Sequence, residues 1–84
     1  MTIPMERGHI YRAKKPKRVM LLFVGDFYDD RQVKYVDDLR VQYDSPTVKN
    51  GRRYPMIDRA KFEAWMGSDV TEGYPDGDWA PYPR

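Results

Sequence analysis

Eighty-four residues suffice for one domain, and a chain this short buries only about 60–65% of its unfolded surface, so its core must be economical. One third of the residues are charged, but 15 basic against 13 acidic groups nearly cancel, and 14% are aromatic; wholesale disorder is excluded on both grounds. There is no cysteine, which excludes a disulfide framework and a thiolate zinc site.

Taken in chain order, residues 1–7 carry no periodic pattern and read as a flexible arm. Gly8 opens a short strand, His9-Ile10-Tyr11-Arg12. Lys14-Lys15-Pro16-Lys17 reads as a turn, because proline cannot serve a central ladder. Val19 to Val24 is aliphatic and β-branched apart from Met20 and Phe23, and suits a strand covered on both faces. Arg31-Gln32-Val33-Lys34-Tyr35 and Arg40-Val41-Gln42-Tyr43-Asp44 alternate with period two, the pattern of strands with one wet face. The Arg40–Asp44 strand is expected at a sheet edge, where a second copy could pair and form a homodimer. Asn50-Gly51 predicts a tight hairpin pairing Thr47–Lys49 with Arg52–Tyr54.

One short helix follows. Asp58 is its predicted N-cap, Ile57 and Phe62 have hydrophobic-staple spacing, and Phe62, Trp65 and Met66 share a face. Gly67 is expected to end it in a left-handed conformation. Such a helix is too short to stand alone and must dock on the sheet. Residues 67–84 hold Pro75, Pro81 and Pro83 and four acids, and read as an extended acidic tail. The predicted fold is mainly β (α+β): a small antiparallel SH3-like barrel or roll of four to five strands over residues 8–66, one short C-terminal helix, and the tail.

The residues for ordinary catalysis are missing. With no cysteine and one histidine, His9, neither a nucleophile–base pair nor a histidine-rich metal centre has support. Asp26, Asp29, Asp30, Asp37 and Asp38 fall at turns, where aspartate serves local hydrogen bonding, and their spacing is not that of a calcium loop. No cofactor and no metal are expected. A metal-free nuclease built from Arg, Lys, Tyr and Glu is the one enzymatic alternative.

Binding has two candidate surfaces. Residues 1–18 hold six basic groups and one acid. Arg12, Lys14, Lys15, Lys17 and Arg18, extended by Lys34, Tyr35, Arg52 and Arg53, could track a phosphate backbone, with tyrosines interleaved for stacking. The alternative is the tail, whose Tyr74, Trp79 and Tyr82 have the character of interface anchors for a protein partner. The longest apolar stretch, six residues, is far short of the ~20 needed to span a bilayer. The expectation is therefore a cytoplasmic protein with no membrane partner.

The order Gly8-x-x-Tyr11-Arg12, Arg31-x-Val33-x-Tyr35 and Phe62-x-x-Trp65 resembles small phage- and prophage-encoded proteins with an SH3-like roll. That resemblance covers residues 8–66, has no counterpart for the tail, and assigns no site residues. It implies an accessory protein that binds host or phage macromolecules. Together these features predict a non-enzymatic binding module engaging nucleic acid or a nucleic-acid-associated protein; the alternative is a protein-interaction module, such as an inhibitor of a host enzyme, acting through the tail.

Overall fold

A computed structural model describes residues 4–49, 51–75 and 78–83. Seven short strands and one helix follow in the order β1 (Ile10–Ala13), β2 (Arg18–Leu21), β3 (Gly25–Tyr28), β4 (Arg31–Val36), β5 (Arg40–Asp44), β6 (Met56–Asp58), α1 (Arg59–Trp65) and β7 (Met66–Asp69). Five strands form an open antiparallel sheet in the order β6-β5-β4-β1-β7, while β2 and β3 form a separate two-stranded ribbon. The sheet is mainly antiparallel β with one short helix, as the period-two patterns predict, but it does not close into a barrel.

The alternating strands explain the core. Val33 on β4 lies opposite Tyr43 on β5, and Val36 opposite Val41, so each pair shares a face. Tyr11, Val33, Val41, Phe62 and Met66 are buried on that face, with Met5, Val36, Tyr43, Ile57 and Trp65 packed around them. Phe62 is the hub. Its ring meets Tyr11 edge-on at 6.1 Å, Tyr43 at 5.8 Å and Trp65 at 5.1 Å. Arg31 lies over Trp65 at 4.1 Å and Tyr43 at 4.5 Å, so this cation is held against the core rather than offered to a partner.

Several local expectations are corrected. The N-terminal arm is docked from Pro4 onward: Tyr11 donates its hydroxyl to the Pro4 carbonyl (2.9 Å) and accepts the Glu6 N–H (2.8 Å). A lone arm has no period to read, so its anchoring by one buried tyrosine was invisible. β5 is not an edge, because β6 pairs with it through Val41↔Ile57; the edges are β6 and β7. Thr47–Lys49 and Arg52–Tyr54 do not pair as strands. The ladder instead runs Gln42↔Met56, leaving a long loop whose turn is held by Arg52 N–H to the Lys49 carbonyl, 3.1 Å, with Gly51 at φ +80°. Asn50 lies outside the described residues.

The helix has seven residues, and Asp58 makes no side-chain cap. Its first N–H, on Arg59, donates to the Leu39 carbonyl at 2.8 Å instead. Nor does Gly67 end it in a left-handed turn: the chain passes straight into β7, which lies antiparallel to β1. Gly67 sits where the register slips between Arg12↔Ser68 and Ala13↔Met66. There a glycine allows two backbones to approach closely, since a Cβ would lie 2.7 Å from Lys14 Cα and 2.8 Å from its nitrogen. Gly67→Ala is therefore expected to destabilise by about 1–3 kcal/mol, read as a lower urea midpoint at unchanged slope. An unchanged midpoint would show that this bulge can relax.

Candidate functional site

The β2–β3 ribbon stands apart from the main sheet. Its ladder pairs Arg18↔Tyr28, Val19↔Phe27, Met20↔Asp26 and Leu21↔Gly25, and Leu22-Phe23-Val24 turn at its tip. The predicted Val19–Val24 strand, covered on both faces, is thus corrected. The strand is Arg18–Leu21, and the apolar run continues into a hairpin loop facing solvent. Phe23 is 99% exposed, Leu22 82%, Met20 70% and Val24 68%. An unbroken apolar run has the same appearance whether it crosses a core or caps a projecting turn.

The root of the ribbon is built around a buried carboxylate. Asp30, fully buried, accepts two hydrogen bonds from Arg12, Nε to Oδ1 at 2.9 Å and Nη2 to Oδ2 at 3.0 Å. The Arg12 guanidinium also lies 3.5 Å from the centre of the Tyr28 ring. The bond to Asp30 raises the pKa of Arg12 further, so the guanidinium stays charged. Tyr74 closes the node: burial, aided by the nearby Asp30 charge, pushes its hydroxyl up to about 12, and that oxygen accepts the Ala80 N–H at 2.9 Å.

The tail completes this root. Tyr28 N–H donates to the Ala80 carbonyl (3.1 Å), Tyr82 N–H donates to the Asp26 carbonyl (3.0 Å), and Phe27 bridges Pro81 antiparallel. Residues 80–82 therefore run beside β3 as a short third strand. Tyr82 packs on Tyr28 at 4.8 Å, and Trp79 meets Tyr74 edge-on at 6.3 Å. Tyr74, Trp79 and Tyr82 are thus all engaged within the chain. Asp76 and Gly77 lie outside the described residues.

The predicted basic set is divided by the fold. Lys14, Lys15, Lys17 and Arg18 are exposed on the segment that leads into the ribbon, and among the described residues only Arg18 has a carboxylate within reach, Asp26 at 4.0 Å. Arg12 is committed to Asp30. Lys34, Tyr35, Arg52 and Arg53 belong to the other end of the sheet and its long loop. There Lys34 lies 5.5 Å from the Tyr54 ring, and Tyr35 donates its hydroxyl to Asp37 at 2.9 Å. Tyr54 and Met56 are exposed beside them. These residues form a second, more diffuse patch, not a continuation of the first.

Elsewhere the polar groups do local work. Asp37 accepts the Leu39 and Arg40 N–H groups, and those bonds hold its pKa below the usual carboxylate range. His9 bonds Asp69 at 2.7 Å and lies 3.5 Å from Glu6; the Asp69 bond raises its pKa. A cleft of about 370 Å³ lies between Gln32, Asp44, Tyr74, Asp78 and Trp79, and its two carboxylates disfavour a polyanion there. Among the described residues no group of three or more His, Asp or Glu could hold a metal ion, and no helix is long and apolar enough to cross a membrane.

No family model, no curated protein and no solved structure matches the chain. The site therefore rests on its own geometry. Sequence reasoning missed Met20, Leu22, Phe23 and Val24 as site residues, and Asp30 as a buried anchor. The signal for the tip was present in the order: an apolar run directly after four cations and directly before Gly25-Asp26.

Proposed function

We propose that this chain is a non-enzymatic module that binds nucleic acid through the β2–β3 ribbon and its basic root. One observation carries the reading. Lys14, Lys15, Lys17 and Arg18 are exposed and follow one another into a projecting ribbon, while Arg12 and Arg31 are engaged internally. Four exposed cations are thus grouped along one short segment, whereas Arg52 and Arg53 are exposed apart from them on the long loop. Four phosphate contacts make affinity fall with salt at a logarithmic slope of about −3 to −4. We also take the sheet and α1 to form a half-open SH3-like roll, in keeping with the resemblance to phage-encoded binding proteins.

The test is titration of labelled single- and double-stranded oligonucleotides across a salt series. Lys14→Glu/Lys15→Glu/Lys17→Glu should abolish measurable binding, whereas Arg52→Glu/Arg53→Glu should leave most of it. Absence of binding by the wild-type protein at low salt would overturn the reading, since phosphate contacts are strongest there.

The exposed apolar tip supports a second reading, in which it seats in a groove of a partner protein. A partner captured equally well after nuclease treatment, and lost with Leu22→Asp, would favour that. The tail offers less to a partner, because its aromatic residues pack on the ribbon root.

A further inference from the structure

We infer that the ribbon tip is a wedge: it enters a groove of duplex DNA and stacks the Phe23 ring between base pairs, opening that step and bending the helix. This rests on the nucleic-acid reading above and says what the apolar part of the same site does.

The tip is apolar all round. Leu22, Phe23 and Val24 are consecutive in a turn, so their side chains leave the backbone in different directions, and Met20 adds one more exposed apolar group below them. Water is a poor environment for four such groups, and proteins rarely leave them together without a use. The backbone points the same way. Phe23 has φ +67°, and among the described residues it is the one non-glycine in the left-handed region. Glycine or asparagine takes that conformation with less strain, so phenylalanine stands there against backbone preference. Strain of this kind collects where a side chain is being presented.

The surrounding charge selects the occupant. Lys14, Lys15, Lys17 and Arg18 lie behind the tip; of the acids on the ribbon, Asp26 faces Arg18 at 4.0 Å and Asp29 is half-buried, so the three lysines carry the positive field. From Arg18 to Leu21 the ribbon extends about 10 Å at ~3.3 Å per residue. That is comparable to a minor groove about 7.5 Å deep. The minor groove is only about 6 Å wide, so the ribbon must spread it as the base step opens; the tip then reaches base edges while the root cations stay at phosphate level. Apolar side chains that enter a base step from this side kink the duplex by about 20–90°. A wedge must also resist being pushed back. The Arg12–Asp30 pair and the third strand at residues 80–82 brace the ribbon at its root.

The experiment uses the full chain and a duplex of about thirty base pairs with a fluorescence-transfer pair at its ends and 2-aminopurine at internal steps. Wild-type protein should raise transfer between the ends and raise 2-aminopurine emission, the signatures of bending and unstacking. Phe23→Asn, which suits the left-handed position, should keep the same salt slope and lose both signals, with affinity lower by about tenfold, the size of one lost stacking contact. Its thermal midpoint should equal or exceed that of wild type, which shows that the fold is intact. Binding by wild type with neither signal, or with both retained in Phe23→Asn, overturns the wedge and leaves nucleic-acid binding standing. No binding to any oligonucleotide overturns both. Phe23-dependent uptake onto phosphatidylglycerol vesicles without duplex binding would assign the tip to lipid and likewise overturn both.

Discussion

Arg12→Ala is expected to destabilise the fold by about 3–5 kcal/mol, because it leaves a fully buried carboxylate with no counter-charge. Domains have only ~5–15 kcal/mol in hand, so the variant should lose a large fraction of its stability. Urea or thermal denaturation followed by circular dichroism reads this directly. Arg12→Lys should fare little better, since an ammonium cannot reproduce two parallel bonds and a flat stack on Tyr28. Arg12→Met combined with Asp30→Leu should be far milder than Arg12→Ala, because the orphaned charge goes too. If Arg12→Ala melts like wild type, water reaches Asp30 and the root is looser than described. One practical point follows. For the proposed nucleic-acid binding, a loss in an Arg12 variant would report a collapsed root, and substitutions at Lys14, Lys15, Lys17 and Arg18 are the ones that test contact.

Phe62→Ala should cost a similar amount, about 3–5 kcal/mol, through the cavity it opens. Phe62 is fully buried and is the side chain on which Tyr11, Tyr43 and Trp65 converge. The seven-residue helix has no side-chain cap; hydrogen bonds from Arg59 to the Leu39 and Asp37 carbonyls and from Lys14 N–H to the Trp65 carbonyl hold its ends, and this ring and its neighbours supply the apolar contact with the sheet. The near-ultraviolet circular dichroism of the clustered aromatic residues should therefore fade along with stability. Phe62→Leu should recover about half of the loss. A variant in which the sheet survives while only the helix signal disappears would show that α1 is an accessory and not part of the cooperative core.

How much of this was legible in the sequence depends on whether the cause was local. β5 was legible because one face is wet and the other dry, so Val41 and Tyr43 stand out by alternation; in β4 the alternation that groups Val33 with Tyr35 breaks at a bulge between them, which leaves Tyr35 exposed and brings Val36 to the core. The docking helix was legible from Ile57, Phe62 and Trp65. The hairpin tip was not, since apolar runs carry no mark of inside or outside. Asp30 hid among four other aspartates at turns. It differs only in facing Arg12, 18 residues earlier, a pairing no local pattern encodes. Gly67 resembled a helix stop, but its reason lies in the nearby backbone of Lys14. The strand at residues 80–82 depends on Phe27 across the fold, and three prolines in the tail concealed it.

The position of β1 next to β7 has a temporal consequence. The second strand from one edge of the sheet finds that neighbour nearly sixty residues later; Ile10 N–H, for instance, bonds the Thr71 hydroxyl across a separation of 61 residues. Closing so long a loop costs entropy before any contact rewards it, which places such topologies among slow-folding small domains. During synthesis the ribbon can zip up early as a local hairpin, but its brace at residues 80–82 emerges about fifty residues later. For that interval the nascent chain displays the exposed apolar tip on an unbraced root, a surface prone to aggregate unless chaperones cover it.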